Sequence, residues 1–282
     1  MSANDFVIFH PSDFSEASAS AFAHALKIAL HVKARLEIMH VVSRGQSPNM
    51  GPDWINFPGV RRTLARWGIL PANARREEVA KTGVRVSKVL AAGSNPLESM
   101  IRRFESHRPD LIVLGTNQRE GVARWMHKPV AEPLARKSRA MTLFVPRNGR
   151  GFVDPGRGNV RLRKILIPID HNPDPQNALE IASLFAQALG TVDVQFLLLH
   201  VGIKAAMPSV ENPAGPGWSF QKIVRTGDVV DMILVTEAES HADLIVLPTQ
   251  GHADFLDALR GSTTDRVVRG AHCPVLAVPV QV

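Results

Sequence analysis

The chain contains the same pattern twice. The segment PDLIVLGTNQREGVARWMHKPVAEPLARKSRAMTLFVP, from Pro109, lies over ADLIVLPTQGHADFLDALRGSTTDRVVRGAHCPVLAVP, from Ala242, at a constant shift of 133 residues. Leu114 then meets Leu247, Thr116 meets Thr249 and Pro146 meets Pro279. Upstream, after a one-residue slip, LAAGSNPLESMIRRFESHRPDLIVL matches IVRTGDVVDMILVTEAESHADLIVL, with Gly93 opposite Gly227. The starts also correspond: FVIFHPSDFSEASASAFAHALKIALHVKARLEIMHVV resembles KILIPIDHNPDPQNALEIASLFAQALGTVDVQFLLLHV. A period this long is a duplicated domain, not a solenoid repeat. Whatever the first copy folds into, the second must fold into as well.

Each copy alternates short β-rich runs with helical spacing. In the second copy KILIPI, VQFLLLHV, KIV, LIVL and VLAVPV read as strands, and ALEIASLFAQAL and VVDMILVTEAESH read as helices. Strands this uniformly apolar are covered on both faces, as in parallel sheets. Strand–helix alternation with right-handed crossovers predicts α/β architecture, with two doubly wound parallel five-stranded sheets. The first copy adds helical segments GVRRTLARW and ANARREEVAKTG before its third strand; the second has GIKAAMPSVENPAGPGWS there, a loop by composition. The expected division is a first domain over 1–147, a linker over 148–163 that includes RNGRGFVDPGRGN, and a second domain over 164–282. Each copy ends in an apolar strand, MTLFVP or VLAVPV, whose edge needs cover. An intrachain pseudo-dimer is therefore expected.

Composition narrows the function classes. At 282 residues and 45% hydrophobic content the chain can bury a sizeable core, yet no apolar run reaches bilayer length. MSANDFVIFHPSDF lacks the basic and apolar regions of a secretory signal, so a cytoplasmic location is expected. Cys273 is the single cysteine, which excludes an intrachain disulfide and a multi-cysteine metal site. The net charge of +7 is uneven: residues through Arg163 hold 26 Lys and Arg against 13 Asp and Glu, and the remainder holds 7 against 13. A basic half can attract a polyanion. It can equally dock on the acidic half or present a solvated face. No recognition helix is apparent, so sequence-specific nucleic-acid binding is not expected.

In open α/β sheets ligands bind beyond the carboxyl ends of the strands, at the point where strand order reverses. Gly251 leaves the LIVLPT strand on that side, and Gly261 and Ser262 precede the next helix. Glycines let backbone amides approach an anion, and a helix amino end adds unpaired N–H groups and a favourable dipole. Ser262 with Asp265 also fits a helix-capping box, and the two roles are compatible.

Two copies of strand–Asp…LLHV…G…DLIV…G-x9-GS…CPVLAVP resemble tandem universal stress protein domains over nearly the whole chain. The resemblance implies an adenine nucleotide alpha hydrolase-like fold, pairing of the two final strands, and a stress-response module that binds ATP, hydrolyses it slowly at most, and signals through a protein partner. In ATP-binding members the motif is G-x2-G-x9-G-[ST]. Gly251, Gly261 and Ser262 match it, followed by Thr263; Pro248 stands at its first glycine and has no N–H to offer. The family's nucleoside-reading aspartate maps to Asp170 and its adenine-contacting valine to Val201. In the first copy Asp13, Val41 and Gly115 match, but Gln118, Lys128 and Pro129 fill the other motif positions, so this copy reads as a degenerate partner. A homodimer is a further arrangement open to the chain.

Other chemistries compete for the same residues. His171, His200 and His252 fall on carboxyl-end segments of the second copy and His10 and His40 on those of the first; three imidazoles can bind zinc, but polar loop histidines explain them too. Cys273, before Pro274, suits a small buried hydrophobe. Asp170 could cap the following helix instead of reading a ligand. No nucleophile elbow, P-loop or metal-holding carboxylate pair is recognisable. The competing readings are a scaffold that needs no nucleotide, and an enzyme acting on an adenylated substrate.

Overall fold

The structure is a computed structural model, and it describes residues 6–42, 57–93, 95–116, 140–249 and 263–280. In the first half the elements are β1 (Val7–Pro11), α1 (Glu16–Val32), β2 (Arg35–Val42), α2 (Val60–Arg66), α3 (Arg76–Lys81), β3 (Arg85–Ala92), α4 (Pro96–Ser106), β4 (Leu111–Thr116) and β5 (Met141–Pro146). The second half follows with β6 (Lys164–Pro168), α5 (Pro175–Ala188), β7 (Gln195–Val201), β8 (Ser219–Arg225), α6 (Val229–Ser240), β9 (Leu244–Thr249), α7 (Thr263–Gly270) and β10 (Val275–Pro279). The two helical segments expected only in the first half are α2 and α3. Between β7 and β8 the second half has a loop with one 3₁₀ turn, Lys204–Ala206.

Helix starts follow from the residues that precede them. Ser15 caps α1 by accepting from the Ser18 N–H, and Asn95, Asp174 and Asp228 cap α4, α5 and α6 in the same way. Proline holds the first position of α4 and α5, where a missing N–H costs nothing.

All ten strands form one sheet, in the order β3-β2-β1-β4-β5-β10-β9-β6-β7-β8. Within each half the pairing is parallel, and the halves meet where β5 and β10 run antiparallel, Leu143 opposite Leu276. The two apolar final strands cover each other's edges, which is the pairing that the resemblance implies. The repeat also shows in register, Ile8 opposite Leu111 and Ile165 opposite Leu244. The aspartate of each DLIVL run makes the same bond: Asp110 accepts from the Val7 N–H (2.7 Å) and Asp243 from the Lys164 N–H (3.0 Å).

Alternate strand residues feed two apolar layers, and each layer runs through both halves. One packs α1, α2 and α5 on the sheet through residues such as Leu26, Leu64 and Leu179; the other packs α4, α6 and α7 through Phe104, Ile233 and Val267. The connecting segment belongs to the first layer. Phe152 is buried, edge-on to His24 of α1 at 4.5 Å and to Phe185 of α5 at 5.8 Å. Val153 bridges to Val160 across a tight turn, and its N–H donates to His24 Nε2 (3.2 Å). Trp67 closes over this turn, donating to the Pro155 carbonyl; a Cβ on Gly158, which has φ +70°, would lie 2.4 Å from the indole. Arg150 reaches the other way, into the second half, and donates to the buried Glu237 carboxylate at 3.1 Å. A stretch that reads as a linker by composition is a packed staple.

Candidate functional site

Strand order reverses at β1 and at β6, each flanked by its half's second and fourth strands. Ligand crevices belong at the carboxyl ends of these strands. Because β5 and β10 are antiparallel, the two crevices open at opposite ends of the sheet.

In the second half Asp170 lies two residues beyond β6 and is exposed. It does not cap α5; Asp174 does. Its Oδ1 accepts the neighbouring His171 N–H, at 2.8 Å. Val201 ends β7, the strand beside β6, and is half-buried. Thr263 is the exposed first residue of α7, the helix that follows β9 on the other side of β6. Asp170, Val201 and Thr263 therefore share the carboxyl side of three adjacent strands. Gly251, Gly261 and Ser262 lie outside the described residues, as does His252. Pro248 sits within β9 opposite Val278.

The rim is pinned by further contacts. Arg266 of α7 donates to Asp228, the cap of α6, at 3.1 Å. Two backbone N–H groups and this guanidinium hold the Asp228 carboxyl below its ordinary range, the Asp231 N–H most strongly. His200 donates from Nδ1 to the Ile169 carbonyl (3.3 Å), tying the end of β7 to the residue before Asp170. The first half repeats this tie: His40 Nδ1 donates to the Ser12 carbonyl (2.7 Å), next to Asp13. The available signal is the HV pair at the end of the second strand in both copies. His200 Nε2 is buried, has no hydrogen-bond partner among the described residues, and faces Gly202, where a Cβ would come within 2.7 Å.

Among the described residues the histidines do not gather. His171 donates to the Ala206 carbonyl (3.0 Å), away from His200. His10 is not a loop residue: it lies inside β1, fully buried, donating to the Val113 carbonyl (3.0 Å) and near the Ser18 hydroxyl (3.4 Å). Burial pushes its pKa down to about 4. Among the described residues no group of three His, Cys, Asp or Glu is placed to hold a metal. Cys273 is fully buried, and burial pushes its thiol well above the ordinary range, which suits the core reading.

The first half has a formed pocket at the corresponding place. Pro11, Ser12, Asp13, Met39, His40, Val41, Pro96 and Met100 line a cavity of about 90 Å³. Both nucleoside-end counterparts, Asp13 and Val41, are in its wall. Beside it Phe14 adopts φ +62°, rare for a bulky residue, and stacks on His40 at 4.1 Å. The partial phosphate-end positions, Gln118, Lys128 and Pro129, lie outside the described residues.

No helix among the described residues is long and apolar enough to cross a membrane. No curated protein matches the chain. Among solved structures it resembles a universal stress protein from Archaeoglobus fulgidus, with TM-score 0.59 and 16% identity over 98% of this chain and 97% of that one. It also resembles a functionally unknown protein from Pseudomonas aeruginosa, with TM-score 0.59 and 14% identity over 97% and 92%. The cytoplasmic domain of a prokaryotic cation chloride cotransporter gives TM-score 0.50 and 12% identity over 97% and 95%. At these identities the likeness is one of fold. The sequence profile of the Universal stress protein family goes further, matching residues 8–146 and again 199–279. Most of both halves is covered, and the chain belongs to the universal stress protein family.

Proposed function

We propose that this chain is a regulatory module of tandem universal stress protein domains that binds ATP in the crevice of its second half. Asp170 and Val201 hold the nucleoside end; Gly251, Gly261, Ser262 and Thr263 hold the phosphates. The observation that carries the reading is the convergence of Asp170, Val201 and the amino end of α7 on one side of the β7-β6-β9 strands. Asp170 is exposed and free of the capping duty that Asp174 performs, so its carboxylate is available to ribose hydroxyls. A helix amino end carries a dipole and N–H groups without intrahelical partners that favour phosphate, and α7 begins at Thr263. Pro248 donates nothing, so the phosphate contacts fall on the later residues of the motif.

Calorimetric titration with ATP, with and without magnesium, tests the proposal. Saturable heat and thermal stabilisation are expected for the unmodified chain, both lost in Gly261→Val and kept in Lys128→Ala. No heat and no stabilisation for the unmodified chain would favour the scaffold that works without nucleotide.

A second reading has one observation behind it, the pocket that Asp13 and Val41 line in the first half. Binding that survives Gly261→Val and disappears with Lys128→Ala would move the nucleotide to that half.

A further inference from the structure

The insertion of α2 and α3 is unnecessary for closing the sheet, since the second half crosses the same gap with a loop. Residues 60–88, which span the insertion and the first half of the edge strand β3, hold eight Lys and Arg against two Asp and Glu. Packing uses only one side of α2: Val60, Thr63 and Leu64 are buried, while Arg61, Arg62 and Arg66 are exposed. Arg61 reaches across to donate to the Ala74 carbonyl (3.3 Å), which sets it beside Arg75 and Arg76 at the start of α3. Lys88, on β3, lies 5.5 Å over the buried Phe57 ring. Its amine is held below the ordinary range, first by burial and then by repulsion from Arg76.

None of Arg61, Arg62, Arg75, Arg76 or Lys88 pairs with a carboxylate among the described residues. Like charges held this close cost stability, and the two acids of the segment, Glu77 and Glu78 of α3, form no ion pair with them among the described residues. An acidic polymer would supply the missing charge. The surface lacks the apolar centre of a protein–protein interface: Ile69 is the one large hydrophobic residue exposed in the first half among the described residues. Arginine outnumbers lysine four to one in the cluster, and its planar fork matches phosphate oxygens.

We propose that the face built by α2, α3 and β3 binds the phosphate backbone of nucleic acid without reading its sequence. The helices are too short to read a groove, and the aromatic ring nearest the cations is buried, leaving backbone charge as the ligand.

The test is fluorescence anisotropy of the full chain with a labelled 20-nucleotide duplex of scrambled sequence and with single-stranded RNA of the same length. Five phosphate contacts give a slope of about −4.5 for log affinity to the duplex against log salt, so affinity falls about 500-fold between 50 and 200 mM salt. Arg61→Gln/Arg62→Gln/Arg75→Gln/Arg76→Gln is expected to weaken binding at least tenfold at 50 mM salt and flatten the slope to about −1. If the fourfold variant does not fold, the pairs Arg61→Gln/Arg62→Gln and Arg75→Gln/Arg76→Gln are each expected to lose about two fifths of the slope. Lys222→Gln, on the opposite edge strand, is expected to change nothing. The proposal is overturned by no binding at 50 mM salt, by binding the arginine variants retain, by preference for one sequence, or by salt-sensitive self-association that the arginines cause instead.

Discussion

Lowering the pH from 7 to 5 should weaken the fold through two histidines that packing keeps neutral. His10 and His24 are fully buried, and burial pushes each from 6.5 to about 4. His24 donates from Nδ1 to the Ser20 carbonyl (2.9 Å) and accepts the Val153 N–H at Nε2, so a second ring proton has nowhere to go without breaking the staple. A basic group with a depressed folded pKa contributes its stability above 6.5; that stability drains as pH falls, because the unfolded chain takes up the proton first. A tenfold difference in proton affinity between the folded and unfolded chain is worth about 1.4 kcal/mol, so between pH 7 and 5 each histidine costs about 2 kcal/mol and the pair about 4. Urea unfolding followed at pH 7, 6 and 5 measures the loss as a falling midpoint with an unchanged slope. Imidazole resonances followed by NMR assign it. Normal titration of His24 near 6.5 in the folded chain, or a midpoint that does not move by pH 5, would refute the argument.

Other perturbations test the packing. Phe152→Ala empties a site shared by α1 and α5 and should cost about 3–5 kcal/mol in urea unfolding, while circular dichroism and tryptophan fluorescence still report one transition. Arg103→Met removes the two-pronged partner of the buried Glu37, bonded at 2.6 and 2.8 Å, and should cost about 3 kcal/mol; adding Glu37→Leu should recover most of that loss, since Leu197 fills the matching position of the second half. Limited trypsin digestion should not separate the halves within Arg147–Asn159 while the protein is native, because Phe152 and Val153 are buried there; release of two independent halves would contradict the staple.

The architecture was legible because duplication tests each reading twice. LIVL and VLAVPV are apolar at every position, as in a sheet covered on both faces; the two final strands needed an edge covered, and the family resemblance implied that they cover each other. The staple was not legible: glycine and proline counts describe the backbone of RNGRGFVDPGRGN, but the partners of Phe152 lie far away, in α1 and α5. Buried charges escaped for the same reason. Glu37 interrupts the apolar run RLEIMHVV, a visible anomaly, yet only the fold shows Arg103 above it. His10 looked like a loop residue because its strand runs one residue past it, to Pro11. In the candidate site, order along the chain assigned Asp170, Val201 and Thr263 to strand ends and a helix start. It could not show that Asp174 relieves Asp170 of capping, or that a histidine ties each crevice to its neighbouring strand.

The antiparallel seam between β5 and β10 has an evolutionary consequence. In a homodimer with a two-fold axis, any inherited change appears on both sides of the interface, so a mutation that helps one side is imposed on the other. Joining the two copies in one gene removes that constraint. Phe144 can face Val275, and Thr142 can face Ala277, without a mirror image of either pair. The same freedom reaches the crevices, which open in opposite directions on a shared core. One lineage of residues could drift from the glycine pattern and acquire a basic insertion while its sister kept most of the motif, each under separate selection.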